Sequence, residues 1–205
     1  AGFTCPNKDG TKGYGGCIYC SKLGSGDFAG NKEKDLITQF NEVKEIMKKK
    51  WPDALYIGYF QANTNTYAKT EVLKQKYEPI LELENVIGLN IATRPDAITE
   101  DCLDYLEELS TRTYLTVKLG LQTIHEKTTK LINRGHDLEC FTNMVKELRK
   151  RNINVVVHII NGLPYETKEM MIETDEYLNK FGMHGIKMHK LNIIKDTRLA
   201  NLYKQ

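Results

Sequence analysis

The chain has 205 residues, and its 29 Lys plus Arg nearly balance its 27 Asp plus Glu, which leaves a formal net charge of +2. This balance offers no global electrostatic signal of a nucleic-acid or anionic-membrane protein. Hydrophobic residues make up 40% and charged residues 27%, a composition that suits one sizeable core and excludes disorder, collagen and coiled coil. No apolar run approaches the roughly 18 residues of a membrane span, and the N-terminus lacks the pattern of a signal peptide. We therefore expect a cytoplasmic protein with no membrane partner.

Beyond residue 30 the sequence alternates between helix and strand periodicities, which predicts a parallel α/β fold. Helices are predicted at residues 36–47, at 70–83, from Thr99 onward, from Asp137 to Asn152, and at 167–181. Strands are predicted at residues 54–60, 86–92, 114–120, 153–160 and 186–191. Thr99 and Asp137 are expected N-caps, because their side-chain oxygens can accept a hydrogen bond from an amide of the first turn.

The spacing of these strands is about 30 residues, the size of one βα unit. Because no linker rich in Pro, Gly or Ser interrupts the series, we expect a single domain over residues 1–205. Strand 153–160 is so apolar that burial of both its faces is expected. An open doubly wound sheet and a full or partial barrel both stay open at this point. No GxGxxG follows the first strand, and Gly13-Tyr14-Gly15-Gly16 lacks the Lys-Ser/Thr of a phosphate loop, so an ordinary nucleotide-binding site is disfavoured.

Three of the five cysteines, Cys5, Cys17 and Cys20, fall near the N-terminus, with eleven residues between the first two and two between the second pair. The glycines between Cys5 and Cys17 would let the backbone fold tightly enough to aim three sulfurs at one point. Soft thiolates suit zinc or an iron–sulfur cluster, and the spacing alone favours neither. Cys102 and Cys140 lie among apolar helical residues and are expected to be core or flanking thiols.

Several segments together resemble the YhcC-type radical SAM proteins, which are related to the elongator catalytic subunit and to coproporphyrinogen dehydrogenase-like radical SAM proteins. The cysteine loop, residues 5–20, follows Gly2-Phe3-Thr4 and has a longer first gap than the usual CxxxCxxC. The other matching segments are YFQANTNT at 59–66, ATRPD at 92–96, LGLQT at 119–123, INRGH at 132–136, NGLP at 161–164 and DTRLA at 196–200. The resemblance runs along the whole chain.

This resemblance implies a partial (β/α)₆ TIM-like barrel of the radical SAM type, in which the first strand immediately precedes the cysteine loop. Only Ala1 to Thr4 precede Cys5, so that strand is expected to be clipped and the chain to be a fragment of a longer protein. In α/β barrels, reactive groups gather at the carboxyl ends of the strands. The polar residues of the matching segments follow the predicted strands, which agrees with that rule.

The resemblance also implies two cofactors. A [4Fe–4S] cluster would be held by Cys5, Cys17 and Cys20, and S-adenosyl-L-methionine would bind the iron that these thiols leave open. An electron from a reducing donor such as flavodoxin or ferredoxin would then release a 5′-deoxyadenosyl radical that takes hydrogen from a substrate. The cofactors carry this chemistry, so the protein supplies placement and exclusion of water.

The same resemblance assigns S-adenosylmethionine contacts. The residues concerned are Tyr19 against the adenine, Gln61, Asn63 and Thr64 near the methionine amino group, Gln122, Arg134 on the carboxylate, His158 at a ribose-binding position, and Gly162 beside the adenine. Simpler roles compete for three positions. Arg94 could only fix a loop, Gln122 could cap a strand end, and His158 could be a hydrogen-bonded core histidine. Lys118 stands where relatives often carry Glu, so a cation replaces an acid there.

The leading functional hypothesis is a radical SAM enzyme, and the resemblance implies modification of a tRNA base, with a wobble uridine as one candidate. Five lysines near the predicted open face could contact phosphates, although lysines near strand ends are usually just solvated. They are Lys8, Lys12, Lys187, Lys190 and Lys195. The alternative is a zinc-stabilised, non-catalytic module that binds nucleic acid or protein. An ordinary metabolic barrel enzyme is disfavoured by the glycine-rich thiol loop.

Overall fold

The computed structural model describes residues 1–24, 30–31 and 33–204. Five parallel strands form one sheet in chain order. They are β1 (Tyr56–Phe60), β2 (Val86–Thr93), β3 (Tyr114–Gln122), β4 (Asn154–Asn161) and β5 (Gly185–Lys190). Because a doubly wound sheet reverses its strand order at a switch point, this uninterrupted order corresponds to a curled half-barrel. The partial-barrel prediction is therefore confirmed.

The helices connect these strands. They are α1 (Leu36–Lys48), α2 (Thr70–Leu81), α3 (Glu100–Arg112), α4 (Glu126–Leu131), α5 (Leu138–Lys150), α6 (Lys168–Leu178) and α7 (Arg198–Tyr203). Thr99 and Asp137 cap their helices as expected, each accepting from the backbone amide three residues later. The short helices α4 and α7 were not predicted from the sequence. Within the described residues, no helix is long and apolar enough to cross a membrane.

The two faces of the sheet differ in composition. Alternate residues of β2, β3 and β4 pack beneath the helices and form the core, among them Leu89, Ile91, Val117, Leu119, Val155 and Val157. The intervening residues face the concave side, where Lys118 and His158 are only partly buried. The expectation that both faces of the fourth strand are buried was therefore wrong, because the residues that alternate with its core residues are only partly buried. A half-barrel buries its convex face under helices, while its concave face borders a cavity.

The strand register places the polar residues of the concave side at paired or nearby positions on neighbouring strands. Lys118 of β3 pairs with Ala92 of β2, while His158 of β4 pairs with Gly120 on one side and Lys187 of β5 on the other. Because neighbouring parallel strands keep their side-chain alternation in step, all of these positions face the same side of the sheet. The barrel interior therefore carries cations and imidazoles near the carboxyl ends of the strands.

Candidate functional site

A cavity of about 260 Å³ opens at the carboxyl ends of the strands. Cys5, Cys17 and Cys20 all line it, as do side chains from the ends of the strands on the opposite side. The expected site residues that line the cavity are Cys5, Cys17, Tyr19, Cys20, Gln61, Asn63, Thr64, Gln122 and His158. Arg134 and Gly162 are not among its lining residues. The structure thus brings nine of the eleven expected positions to one cavity.

Asn7 shapes the cysteine loop from inside. Its side-chain amide donates to the carbonyls of Asn133 (2.6 Å) and Arg134 (3.2 Å), and lies 3.8 Å from the Cys17 sulfur. The backbone carbonyl of Asn7 accepts a hydrogen bond from the backbone amide of Gly16 at 2.7 Å. A Cβ on Gly13 would lie 2.3 Å from the Asn7 side-chain oxygen, so a larger residue would displace this amide. The glycine-rich spacer therefore wraps closely around one buried asparagine.

The loop that follows α4 is joined to the cysteine loop by hydrogen bonds. Asn133 donates from its side-chain amide to the carbonyls of Gly16 (2.7 Å) and Tyr14 (3.0 Å). The amide of Ile18 donates to the carbonyl of Ile132 at 3.0 Å. Asn133 itself has a φ of 54°, a left-handed conformation that asparagine tolerates better than most residues. We call residues 132–134 the clamp segment.

Arg134 anchors the clamp segment to the sheet. Its guanidinium donates to the carbonyls of Leu121 (2.6 Å), Thr123 (2.7 Å) and His136 (2.8 and 3.0 Å). The residue is only 1% exposed, and its burial lowers the pKa of the guanidinium to about 10. Each guanidinium nitrogen already donates within the protein. The guanidinium lies between β3 and the clamp segment, and its expected pairing with a cofactor carboxylate stays a prediction.

Arg94 has the loop-fixing geometry considered from the sequence. It makes a bidentate pair with Asp96, at 2.9 and 2.8 Å, and its third nitrogen donates to the carbonyl of Arg134 at 2.7 Å. Its side chain lines the cavity as well. A planar fork with three acceptors has a fixed orientation, so Arg94 joins the end of β2 to the clamp segment.

The pKa of the second thiol of the loop, Cys17, is lowered by its neighbours. A hydrogen bond from Cys20, together with smaller contributions from Tyr19, Arg94 and Asn7, lowers the pKa of Cys17 to about 6. The same bond raises the pKa of Cys20, and burial raises the pKa of the Tyr19 hydroxyl. This shift favours the thiolate of Cys17, and the thiolate is the form of cysteine that binds metals.

The segment after β1 supports the loop on its other side. Asn63 accepts from the Lys8 ammonium at 3.2 Å and donates to the carbonyl of Phe3 at 3.0 Å. The amide of Thr64 donates to the carbonyl of Thr4 at 3.1 Å. A Cβ on Gly24, where φ is +61°, would lie 2.0 Å from the Asn63 side-chain oxygen. Asn63 and Thr64 therefore hold the residues on either side of the thiols as well as lining the cavity.

The remaining expected contacts occupy different positions. Gln122 ends β3 with a φ of 65°, at a register shift in the pairing with β4. The Nε2 atom of His158 is buried and has no hydrogen-bond partner among the described groups. Gly162 is exposed beyond the end of β4, also with positive φ. Cys102 is buried in α3, and Cys140 lies in the first turn of α5; neither lines the cavity.

Several residues of the site escaped sequence reasoning. Asn133 lies in the matching segment INRGH, but Asn7 and Asn133 act through backbone carbonyls more than a hundred residues away, so no local pattern predicts these contacts. Tyr59 and His189 line the cavity and could have been found, since they alternate with outward-facing residues in step with Gln61 and Lys187. The signal was the period of two in β1 and β5.

The donor set determines which metal group can fit. Among the described residues, no three His, Cys, Asp or Glu side chains are grouped closely enough to hold a single metal ion. Three thiols on one loop that line a common cavity match an iron–sulfur cluster, whose thiolate ligands bind separate irons. The cavity also extends beyond the thiols to polar residues, which could contact a second ligand. The residues present therefore fit a cluster with one open iron.

The comparisons with known proteins give a consistent result. The radical SAM superfamily matches residues 10–178. The chain is 53% identical over 204 residues to protein YtqA of Bacillus subtilis and 37% identical over 207 residues to protein YhcC of Escherichia coli. These matches cover 100% and 99% of this chain but 63% and 65% of the two relatives, so the chain spans just under two thirds of their length.

Solved structures show the same fold. The archaeal Elp3 of Methanocaldococcus infernus, with an N-terminal deletion, matches with a TM-score of 0.69 and 20% identity over 83% of this chain and 47% of its own. Coproporphyrinogen III oxidase of Escherichia coli, described as a radical SAM enzyme, matches with a TM-score of 0.59 and 16% identity over 92% of this chain and 44% of its own. Together with the family match, these likenesses confirm the resemblance seen in the sequence, and the chain belongs to the radical SAM superfamily.

Proposed function

We propose that this chain is the catalytic core of a radical SAM enzyme that binds a [4Fe–4S] cluster through Cys5, Cys17 and Cys20 and binds S-adenosylmethionine beside it. The observation that carries the proposal is that all three thiols of the cysteine loop line one cavity at the carboxyl ends of parallel strands. When bound and reduced by a donor such as flavodoxin or ferredoxin, these cofactors supply a 5′-deoxyadenosyl radical that removes hydrogen from a substrate.

The contribution of the protein is to hold the thiols and the cofactor still. Asn7, Asn133 and Arg134 form hydrogen bonds within the protein that fix the loop. A preorganised site loses little freedom when its ligand binds, which favours both affinity and correct placement. In this proposal Arg134 is a positioning residue, since four of its five N–H donors are engaged with carbonyls.

The roles of the cofactor contacts follow from where they lie. Tyr19 would present its ring to the adenine while its hydroxyl stays bonded to Cys17. Gln61 lines the cavity and is well exposed, so it is the residue best able to reach the methionine amino group. Asn63 and Thr64 would contribute mainly by shaping that side of the pocket, and Gln122 would contact the cofactor from the end of β3. Gly162 would act only through its backbone.

For the substrate, we propose a base of tRNA, as the sequence resemblance implies. Three of the five lysines considered from the sequence line the cavity, namely Lys8, Lys187 and Lys190. Cations at an opening can contact phosphates while one base turns inward. The zinc-stabilised module is less favoured, because superfamily membership accounts for the three-thiol loop and the barrel together.

The test uses the full-length protein, reconstituted anaerobically with iron and sulfide. We expect a brown protein with broad visible absorbance that converts S-adenosylmethionine to 5′-deoxyadenosine when reduced. Fully modified and hypomodified tRNA are then supplied, and nucleoside masses are followed. Cofactor cleavage without any change in a nucleoside would refute the tRNA substrate and leave the radical SAM assignment intact. A colourless zinc protein would refute both.

A further inference from the structure

The cavity side opposite the cysteine loop carries a group of side chains that the proposed cofactor binding does not explain. We call it the cationic wall, and it consists of Tyr59, Lys118, His158, Lys187 and His189. These residues come from β1, β3, β4 and β5 and all line the cavity. His158 and Lys187 are paired across adjacent strands. Rigid strands, rather than a loop, therefore hold the whole group.

The cations of the wall converge. The Lys118 and Lys187 ammonium nitrogens lie 4.6 Å and 5.4 Å from the centre of the same ring, that of Tyr59. The rings of His158 and His189 are 5.3 Å apart. Of the described residues that line the cavity, none is Asp or Glu. Like charges brought together with no carboxylate beside them are unfavourable, so this arrangement favours the arrival of a negative group.

Two hydrogen-bonding groups of the wall are left unsatisfied. The Tyr59 hydroxyl and His158 Nε2 are both buried, and neither has a hydrogen-bond partner among the described groups. Leaving a buried polar atom unpaired costs more than an average hydrogen bond gains. Such atoms in a native structure call for a missing partner. A hydroxyl and an imidazole beside two ammonium groups form the donor set that binds an oxyanion.

The electrostatics agree with the geometry. Burial and the neighbouring Lys187 lower the pKa of Lys118. Burial, with Lys187, His189 and Lys118 as smaller causes, lowers the pKa of His158 to about 3. Burial raises the pKa of Tyr59 to about 12, so it remains a donor. An anion at this position would favour the protonated forms of both the lysine and the histidine.

We propose that the cationic wall binds an oxyanion of the substrate, a carboxylate or a phosphate, with Lys118 and Lys187 supplying charge and Tyr59 and His158 supplying hydrogen bonds. Assigning the anion to the substrate rests on the proposed function, in which the cofactor lies against the cysteine loop. Binding of the anion itself does not depend on the cluster. The two proposals can therefore fail separately.

The first measurement is calorimetric titration of the full-length protein with inorganic phosphate, succinate and uridine 5′-monophosphate, at constant ionic strength set with chloride. We expect all three to bind and to compete with one another. Tighter binding of the nucleotide than of free phosphate assigns the oxyanion to a nucleotide phosphate. Succinate binding at least as tightly as the nucleotide assigns it to a carboxylate. No binding of any of the three at millimolar concentrations would overturn the proposal.

The second measurement compares variants of matched design. Lys118→Met and Lys187→Met should each weaken anion binding about tenfold or more, since each removes a charge-assisted contact. Tyr59→Phe should weaken it less. Lys74→Met is the control, because Lys74 also lies over a tyrosine ring, 5.2 Å from the centre of Tyr105, but does not line the cavity. Equal losses in the Lys74 and Lys118 variants would overturn the assignment.

A third measurement needs no substitution. In the wild-type protein with ¹³C-labelled histidine, phosphate should shift the resonances of His158 and raise its pKa, while distant His184 should not move. Adding S-adenosylmethionine to the reconstituted protein then separates substrate from cofactor. We expect it to leave phosphate bound. Displacement of phosphate by S-adenosylmethionine would mean that the wall holds the cofactor's own carboxylate, which would overturn the substrate assignment without affecting the radical SAM function.

Discussion

On the cysteine-loop side of the cavity, the side chains of Asn7, Asn133 and Arg134 bond to backbone carbonyls, whereas on the cationic wall the hydroxyl of Tyr59 and Nε2 of His158 bond to no described group. Most of the first side is bonded within the protein, although the side-chain oxygen of Asn7 has no partner among the described groups, and in our proposal an oxyanion pairs the two open groups of the second side. Positioning a reactive cofactor calls for a rigid frame, while recognising a substrate calls for unmet hydrogen-bonding capacity. In our proposal the two sides of the cavity therefore divide these two tasks between them.

The largest effect is expected when a thiol of the cysteine loop is removed. We expect Cys17→Ala to bind no cluster after anaerobic reconstitution, because one of three ligands is lost, while Cys102→Ser retains a full cluster. Iron and sulfide content, with visible absorbance, measures both variants. A folded Cys102→Ser protein without iron would show that the three-ligand assignment is wrong.

Replacing Arg134 tests whether this residue stabilises the cysteine loop and the clamp segment or contacts the cofactor. We expect Arg134→Ala to lower the free energy of unfolding by about 3 kcal/mol or more, since the buried carbonyls of Leu121, Thr123 and His136 lose their donors. Cluster content should fall with stability, because the clamp segment loosens. Arg134→Lys should recover part of both. Unchanged stability and colour together with weaker S-adenosylmethionine binding would instead place Arg134 in contact with the cofactor.

A smaller effect is expected at Asn133, where the side-chain amide and the backbone conformation can be separated. Asn133→Gly keeps the left-handed conformation and loses the bonds to Gly16 and Tyr14, which should cost about 1–2 kcal/mol of unfolding free energy. Asn133→Ala should cost more, because alanine disfavours a φ of 54°. The exposed Asn143→Ala serves as the control in thermal unfolding. If glycine were tolerated as well as asparagine, the amide would have no role in holding the loop.

The smallest effect concerns pH and the wall. Because the folded-state pKa of His158 is lowered to about 3, the unfolded chain binds more protons than the folded protein between pH 6.5 and 3. His158 therefore lowers stability as pH falls, by about 1 kcal/mol between pH 7.5 and 5.5. Unfolding of His158→Asn and wild type should diverge in that range, with the variant losing less. Parallel plots of unfolding free energy against pH for the two proteins would show that His158 is not held in its neutral form. Phosphate should reduce the difference in stability between wild type and variant.

The sequence predicted the strands and most helices, because each depends on local signals. The starts of β2 and β3 and the caps at Thr99 and Asp137 agree with the structure. The helix α4 was not predicted, since six residues carry too little periodicity. The difference in burial between the two faces of the sheet was not predicted at β4. Three valines in succession obscure the alternation between the faces, and the polar residue His158 is the one that indicates it.

The site was predicted less evenly than the fold. Thiol spacing and position after strands identified some of the residues that line the cavity, because side chains at neighbouring strand ends meet, and the family resemblance added Tyr19 and Thr64. The role of Arg134 could not be predicted, since its acceptors are carbonyls whose positions depend on the folded chain. Sequence analysis singled out Lys118, His158 and Lys187 separately, but it did not predict that they belong to one group. Convergence of Lys118 and Lys187 on Tyr59 depends on barrel curvature, which no local pattern reports.

The hydrogen bonds from Asn7 to the carbonyls of Asn133 and Arg134 join residues 126 and 127 positions apart, and this separation has a consequence for biogenesis. During synthesis the cysteines emerge first, yet their loop can take its final shape only after β3 and the clamp segment have emerged and folded. In the interval the thiols are open to oxidation and to adventitious metals. We expect ribosome-bound chains to accept a cluster only once residues well beyond 134 have left the exit tunnel, so cluster delivery in the cell must wait for translation.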